Sequence, residues 1–225
     1  MAEFLTPAQS ETNKTPQTFG LIMLKPDALQ SVFDPLLVAT FEGDVQPVFQ
    51  RPGCDFVDEL DKVTLCGQYY RDLAAVPYGR TLLNVFYDDL RNKRYFPMIS
   101  EYYRSRVAFL LLGHNGSEEE MALFLTKVKG QAETFDECGE LVTAARGVRG
   151  ALQIPYRHYS REAGSMLSDE EYRRAFSPVV HNSIHVCDTP QEVATAMTYL
   201  FTRHDFSELE GQGYPVVDFV KTHQE

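Results

Sequence analysis

The segment Val107-Ala-Phe-Leu-Leu-Leu112 is apolar at every position, and this constrains the chain more than any other stretch. A strand that alternates apolar and polar residues can leave one face in water, whereas one with no polar position must be covered on both faces. At six residues it is far short of the ~20 that a membrane-spanning helix needs. A strand apolar on both faces follows. Phe19-Gly-Leu-Ile-Met-Leu24, bounded by Gly and Pro, reads as a second buried strand.

The covering helices leave their own marks. Leu29, Val32, Phe33, Leu36, Leu37 and Phe41 fall at three- and four-residue steps, with Pro35 predicting a kink or a late start. Ser117-Glu-Glu-Glu120 matches a capping box and opens a helix whose core face is Met121, Phe124, Leu125 and Val128. Thr189-Pro-Gln-Glu192 matches a second, with Pro at the favoured first position and Val193, Ala196, Met197, Leu200 and Phe201 as its inner face. Val45–Phe49 and Pro178–Val186 read as further strands, Val57–Tyr103 as helical, and residues 129–146 show no firm period. The order defines an α+β protein.

Residues 1–17 carry no apolar h-region and read as a loose polar tail. The rest, 18–225, reads as one domain with insertions near 50–85 and 153–178. With 32 acidic against 21 basic side chains, the net charge of -11 gives no basic footprint and argues against a nucleic-acid coat. Cys54, Cys66, Cys138 and Cys187 form no C-x-x-C pair, so zinc ribbons and redox motifs are unsupported and a reduced, cytoplasmic protein is expected.

Neither G-x-x-x-x-G-K nor H-E-x-x-H occurs, and no dinucleotide glycine fingerprint is usable. The chemistry must come from polar residues at the ends of apolar strands. Lys25 closes Leu21–Leu24 ahead of Pro26-Asp27; alone it suggests a lysine snorkelling to water, and otherwise a fixed ammonium for phosphate. His185 has apolar neighbours and precedes a capped helix, suiting either a core histidine or a nucleophile, base or ligand. His181 would share its strand face, but no third ligand accompanies the pair, so no metal site is assigned. Arg149 lies in Gly147-Val-Arg-Gly150, read as a tight loop. Tyr87, Lys93, Arg94 and Tyr95 form a basic–aromatic cluster that equally suits a helix end.

Taken in order, Leu24-Lys-Pro-Asp27, Tyr87-Asp-Asp-Leu90, Tyr95-Phe-Pro97, Gly147-Val-Arg-Gly150 and Asn182-Ser-Ile-His-Val-Cys-Asp188 resemble nucleoside diphosphate kinases. The resemblance implies a ferredoxin-like fold: a four-stranded antiparallel sheet with helices packed on it. It implies transfer of a γ-phosphate from a nucleoside triphosphate to a nucleoside diphosphate through a phosphohistidine on His185. Lys25 and Arg149 would then hold phosphate oxygens, Tyr87 and Asn182 would frame the phosphoryl group and sugar, and Tyr95, Ile99 and Val179 would clamp the base. Mg²⁺ would arrive on the nucleotide phosphates. The implied partners are these nucleotides, with no membrane and no specific nucleic acid, and a homo-oligomer is allowed. Lys93 stands where the family has a phosphate-binding arginine, with Arg94 beside it as a substitute. Ala28, Val186 and Cys187 also depart from the pattern, and Ala196 replaces the glutamate that orients the histidine. These departures carry the alternative of a catalytically weakened nucleotide-binding or regulatory module.

Overall fold

The computed structural model describes residues 15–26, 28, 63–72, 94, 97–98, 106–180 and 183–224. Strands β1 (Thr18–Leu24) and β3 (Arg106–His114) run antiparallel from the Thr18–His114 pair to the Leu24–Ala108 pair. Val107 to Leu111 are each at most 1% exposed, so both faces of β3 are covered, as an all-apolar strand demands. Val107, Phe109 and Leu111 join one core with Val193, Met197, Leu209 and Phe219. Ala108, Leu110 and Leu112 join another with Met121, Phe124, Leu125 and Val148.

In chain order the other described elements are β2 (Val63–Asp72), α1 (Glu118–Lys129), β4 (Thr134–Phe135), β5 (Leu141–Thr143), α2 (Gly147–Leu152) and β6 (Tyr156–Arg157). They continue with α3 (Arg161–Met166), α4 (Asp169–Val180), β7 (Ile184–Val186), α5 (Pro190–Leu200), α6 (Arg203–Gly211) and α7 (Val216–His223). The main sheet has the order β2-β3-β1-β7 with every neighbour antiparallel, which is the ferredoxin-like arrangement. No helix among the described residues is long and apolar enough to cross a membrane.

The cap of α1 forms as its sequence predicts: Ser117 Oγ accepts from Glu120 N, and Glu120 Oε2 accepts from Ser117 N. The cap of α5 is only half reciprocal. Thr189 Oγ1 accepts from Glu192 N, but Glu192 Oε2 reaches back one residue further, to Asp188 N at 2.7 Å.

Two sequence expectations are corrected. Residues 63–72 are a strand and not part of a helical stretch. The register against β3 shifts between Leu65 and Gly67, which breaks the two-residue period that would have marked it. Pro178–Val186 is not one strand, because α4 runs on to Val180 with Pro178 inside it. That helix starts from reciprocal bonds between Ser168 and Glu171, a capping box also present in the sequence, and buries Tyr172 and Val180. Ser183, at φ 58°, then turns the chain into a β7 of only three residues. Val45–Phe49, the helical pattern from Leu29 to Phe41 and the tail through Lys14 lie outside the described residues.

Arg71 fastens the edge strand β2 to the helical layer. Its guanidinium bonds Asp205 Oδ2 (2.6 Å), Leu200 O (3.1 Å) and Tyr70 O (3.1 Å), so one cation serves both the end of α5 and the cap of α6. Both partners are largely shielded, at 22% and 12% side-chain exposure. Arg71→Met is therefore expected to lower unfolding free energy by about 2 kcal/mol. Arg174→Met breaks a pair that is 83% and 86% exposed, and should produce no measurable change. Urea denaturation of the two variants in parallel checks the contrast.

Candidate active site

The site is organised by the β1–β7 pair. Met23 faces His185 in register, and Lys25 N extends the ladder by donating to Ser183 O at 2.8 Å. Arg149 Nη2 donates to Ile184 O at 3.2 Å. Lys25 and Arg149 therefore each grip a backbone carbonyl immediately ahead of His185, one through its main chain and one through its side chain. A third cation lies beyond the histidine, where Lys129 Nζ meets Asp188 Oδ1 at 2.7 Å.

Lys25 is only 2% exposed, so it does not snorkel into water. Arg149 sits in α2 and not in a loop. Gly147, at φ 59°, lets that helix begin hard against the end of α1, since a Cβ there would meet Lys127 O at 2.7 Å. His185 keeps intermediate exposure, while its Nε2 is shielded from solvent. Burial, then the charges of Lys25, Lys129 and Arg149, push its imidazole down from the usual 6.5 to about 3. At neutral pH the ring is uncharged and carries a lone pair amid cations. Cys187, two residues on, is driven the opposite way by burial and by Glu192 and Asp188, so it stays a neutral thiol.

Arg149 and Val179 also share a cavity of about 400 Å³, whose walls include Gln153, Tyr156 and His158. The latter three were not singled out from the sequence. They lie in and beside a small sheet of order β5-β4-β6, whose two- and three-residue strands are too short to show a period. Gln153 is fixed by donating to Pro178 O at 2.7 Å, and the Tyr156 and His158 rings lie 6.0 Å apart.

Arg94 is engaged elsewhere. It pairs with Asp169, donates to Leu167 O at 3.0 Å and lies 4.4 Å over the Tyr172 ring, binding the α3–α4 region together. Ala196 is buried at 1% exposure in α5, and Glu192 is committed to Asp188 N, so neither supplies a carboxylate in the place the resemblance assigns. Tyr87, Lys93, Tyr95, Ile99 and Asn182 lie outside the described residues. No group of three potential metal ligands from His, Cys, Asp and Glu occurs among the described residues.

The strand order and the two covered faces define an α+β protein of ferredoxin-like topology. Among solved structures, the chain is similar to the nucleoside diphosphate kinase of Aquifex aeolicus, at 13% identity and TM-score 0.44 over 84% of this chain and 97% of that one. It is similar also to the nucleoside diphosphate kinase from encephalitozoon cuniculi, at 13% identity and TM-score 0.41 over 82% and 88%. No protein-family model and no curated protein matches the chain. The likeness is loose, and the chemistry of the site rests on its own side chains.

Proposed function

We propose that the chain is a nucleotide-dependent phosphotransferase that carries a phosphoryl group on His185. One observation bears most of the weight: a histidine of intermediate exposure on β7, held neutral by burial and by the charges of Lys25, Lys129 and Arg149. Phosphoryl transfer asks a protein chiefly for positioning and for positive charge around the moving oxygens. An imidazole nitrogen of His185 attacks the γ-phosphorus of a nucleoside triphosphate, forming a P–N bond as the P–O bond to the diphosphate breaks. A second nucleoside diphosphate, or a related acceptor, then attacks phosphorus through a phosphate oxygen and frees the histidine. Lys25 and Arg149 offset charge on the equatorial oxygens, and Arg149 can present a two-pronged fork.

The cavity holding Arg149 and Val179 would take the nucleoside, with Tyr95 and Ile99 completing the base clamp and Tyr87 and Asn182 framing the sugar and phosphoryl group. Lys93 would meet the nucleotide phosphates in place of the family's arginine, while Arg94, its neighbour and possible substitute, is held by Asp169. Mg²⁺ suits this site as part of the substrate, held by nucleotide phosphates, because the side chains gathered around His185 are cations and a hard ion seeks oxygen ligands.

The second reading, a nucleotide-binding or regulatory module with weakened catalysis, is favoured by two features. Arg94 is already satisfied by Asp169, and Ala196 offers His185 no orienting carboxylate.

Incubation with γ-labelled ATP and Mg²⁺ separates the two. The transferase should acquire acid-labile, base-stable label that is absent from His185→Ala and can be chased onto nucleoside diphosphates. An unlabelled native protein, or label that survives in the variant, overturns the mechanism. Lys25→Met, an apolar replacement of similar length at a buried position, is expected to slow labelling roughly 10²-fold, as loss of one fixed charge-stabilising donor does elsewhere.

A further inference from the structure

Asn115 and Gly116 form the only Asn-Gly pair in the sequence, and they lie in the bend that joins β3 to α1. Asparagine followed by glycine is chemically unstable where the backbone can bend, because no side chain shields the glycine nitrogen from the asparagine amide. Strands and helices suppress the reaction by tying that nitrogen's hydrogen to a carbonyl. Here the hydrogen goes to a base instead: Gly116 N donates to His114 Nδ1 at 2.8 Å.

A backbone N–H can only donate, so Nδ1 is the unprotonated nitrogen of the ring. Its lone pair lies against the proton whose loss makes Gly116 N a nucleophile. A general base must stand within hydrogen-bond reach of the proton it removes, and this one does. The ring is also held in place. His114 is 6% exposed at the end of β3, in register with Thr18 of β1 on one side and Val63 of β2 on the other. The close approach depends on glycine, since a Cβ at position 116 would lie 2.4 Å from His114 Cε1 and 2.1 Å from Glu120 Oε2. Asn115 is exposed by contrast, and its side chain makes no hydrogen bond to any described residue that would keep it from turning onto Gly116 N.

We propose that Asn115-Gly116 is a self-modification site at which His114 acts as general base. His114 Nδ1 takes the Gly116 amide proton as Gly116 N forms a bond to Asn115 Cγ. The Cγ–Nδ2 bond then breaks, the proton passes to the leaving nitrogen, and ammonia departs from a five-membered succinimide. Water opens that ring at either carbonyl, leaving aspartate or isoaspartate at position 115. Either product adds a negative charge beside the first turn of α1, which already carries Glu118, Glu119 and Glu120. Isoaspartate does more, because it routes the main chain through the former side chain and lengthens it by one carbon. Thr18 Oγ1 meets His114 O at 3.1 Å and Gly116 O at 3.4 Å, one carbonyl on each side of Asn115, and the longer segment cannot keep both. The modification therefore loosens the start of β1 from the β3–α1 bend. None of this draws on His185 or on phosphoryl transfer.

The test ages the full chain at neutral pH and physiological temperature and maps conversion at every asparagine by peptide mass spectrometry, with electron-transfer fragmentation to separate isoaspartate from aspartate. Conversion at Asn115 is expected to outpace that at Asn13, Asn84, Asn92 and Asn182. It should slow at least about tenfold in His114→Phe, which keeps a ring and the Asn-Gly pair but has no base. In urea, where the folded contact is gone, the two proteins should convert at the same rate. An unchanged or faster rate in folded His114→Phe overturns the proposal, because the hydrogen bond would then only restrain Gly116, and so does an Asn115 that stays intact in the native protein. Circular dichroism establishes that the variant folds. If it does not, the native chain decides alone: conversion at Asn115 must run faster folded than in urea, and the reverse order overturns the assisted reaction.

Discussion

Gly130→Ala is expected to cost at least about 3 kcal/mol of stability, a loss of roughly a hundredfold or more in the folded-to-unfolded ratio. Two effects combine at this position. The backbone adopts φ 59° with ψ -156°, a conformation that side-chain-bearing residues rarely occupy. A Cβ would also lie 2.0 Å from Arg146 O and 2.5 Å from the Arg146 carbonyl carbon. Those are main-chain atoms locked in the Gln131–Arg146 bridge, so they can retreat only by breaking it. Gly139→Ala separates the two contributions. It has a positive φ of 89°, but the nearest atom to a new Cβ is Arg157 Nη2 at 3.7 Å, so conformational strain alone should cost about 1 kcal/mol. Urea denaturation of both variants checks the difference; equal losses would show that the close approach contributes nothing.

The second large effect concerns pH. The folded His185 binds its proton near 3, whereas an unfolded histidine binds one near 6.5. Above 6.5 both states are neutral and the full stability is present. Between 6.5 and about 3 only the unfolded chain takes up this proton, so stability falls with decreasing pH at up to about 1.4 kcal/mol per unit. From pH 6.5 to 5 the loss should approach roughly 2 kcal/mol beyond that of His185→Gln, which has no such group. Denaturant unfolding of both proteins across this range provides the measurement, and parallel curves would rule out a depressed histidine. The same shift predicts that labelling of His185 shows no titration near pH 6.5, since the nucleophilic neutral ring already dominates there.

How far these features were legible in the sequence depended on how local their causes were. The Ser117–Glu120 cap is completed within four residues and forms as written. Strand β3 was legible because apolar residues on both faces leave few alternatives. Strand β2 was not, because its pairing with β3 is non-local and its shift at Leu65/Gly67 erases the alternation. The true start of α4 was available in Ser168-Asp-Glu-Glu171, but the apolar pairs around Pro178 suggested a strand instead. Lys25, Arg149 and His185 were individually ambiguous, and only their order along the chain, through the resemblance, suggested a common site. Their convergence depends on two backbone contacts, at Ser183 O and Ile184 O, that no local pattern encodes. Gln153, Tyr156 and His158 were hidden for a related reason: strands this short acquire their shape from neighbours.

The pairing of β1 with β7 also has a kinetic consequence. Among the described residues every other strand lies between these two neighbours in sequence, so closing them is among the most entropically demanding steps of folding. During synthesis Lys25 emerges early, but Ser183 and His185 leave the ribosome only after the intervening segments. In a nascent chain Lys25 therefore waits for its backbone partner at Ser183, and the β1–β7 ladder closes in one late event when a three-residue strand docks at the sheet's edge.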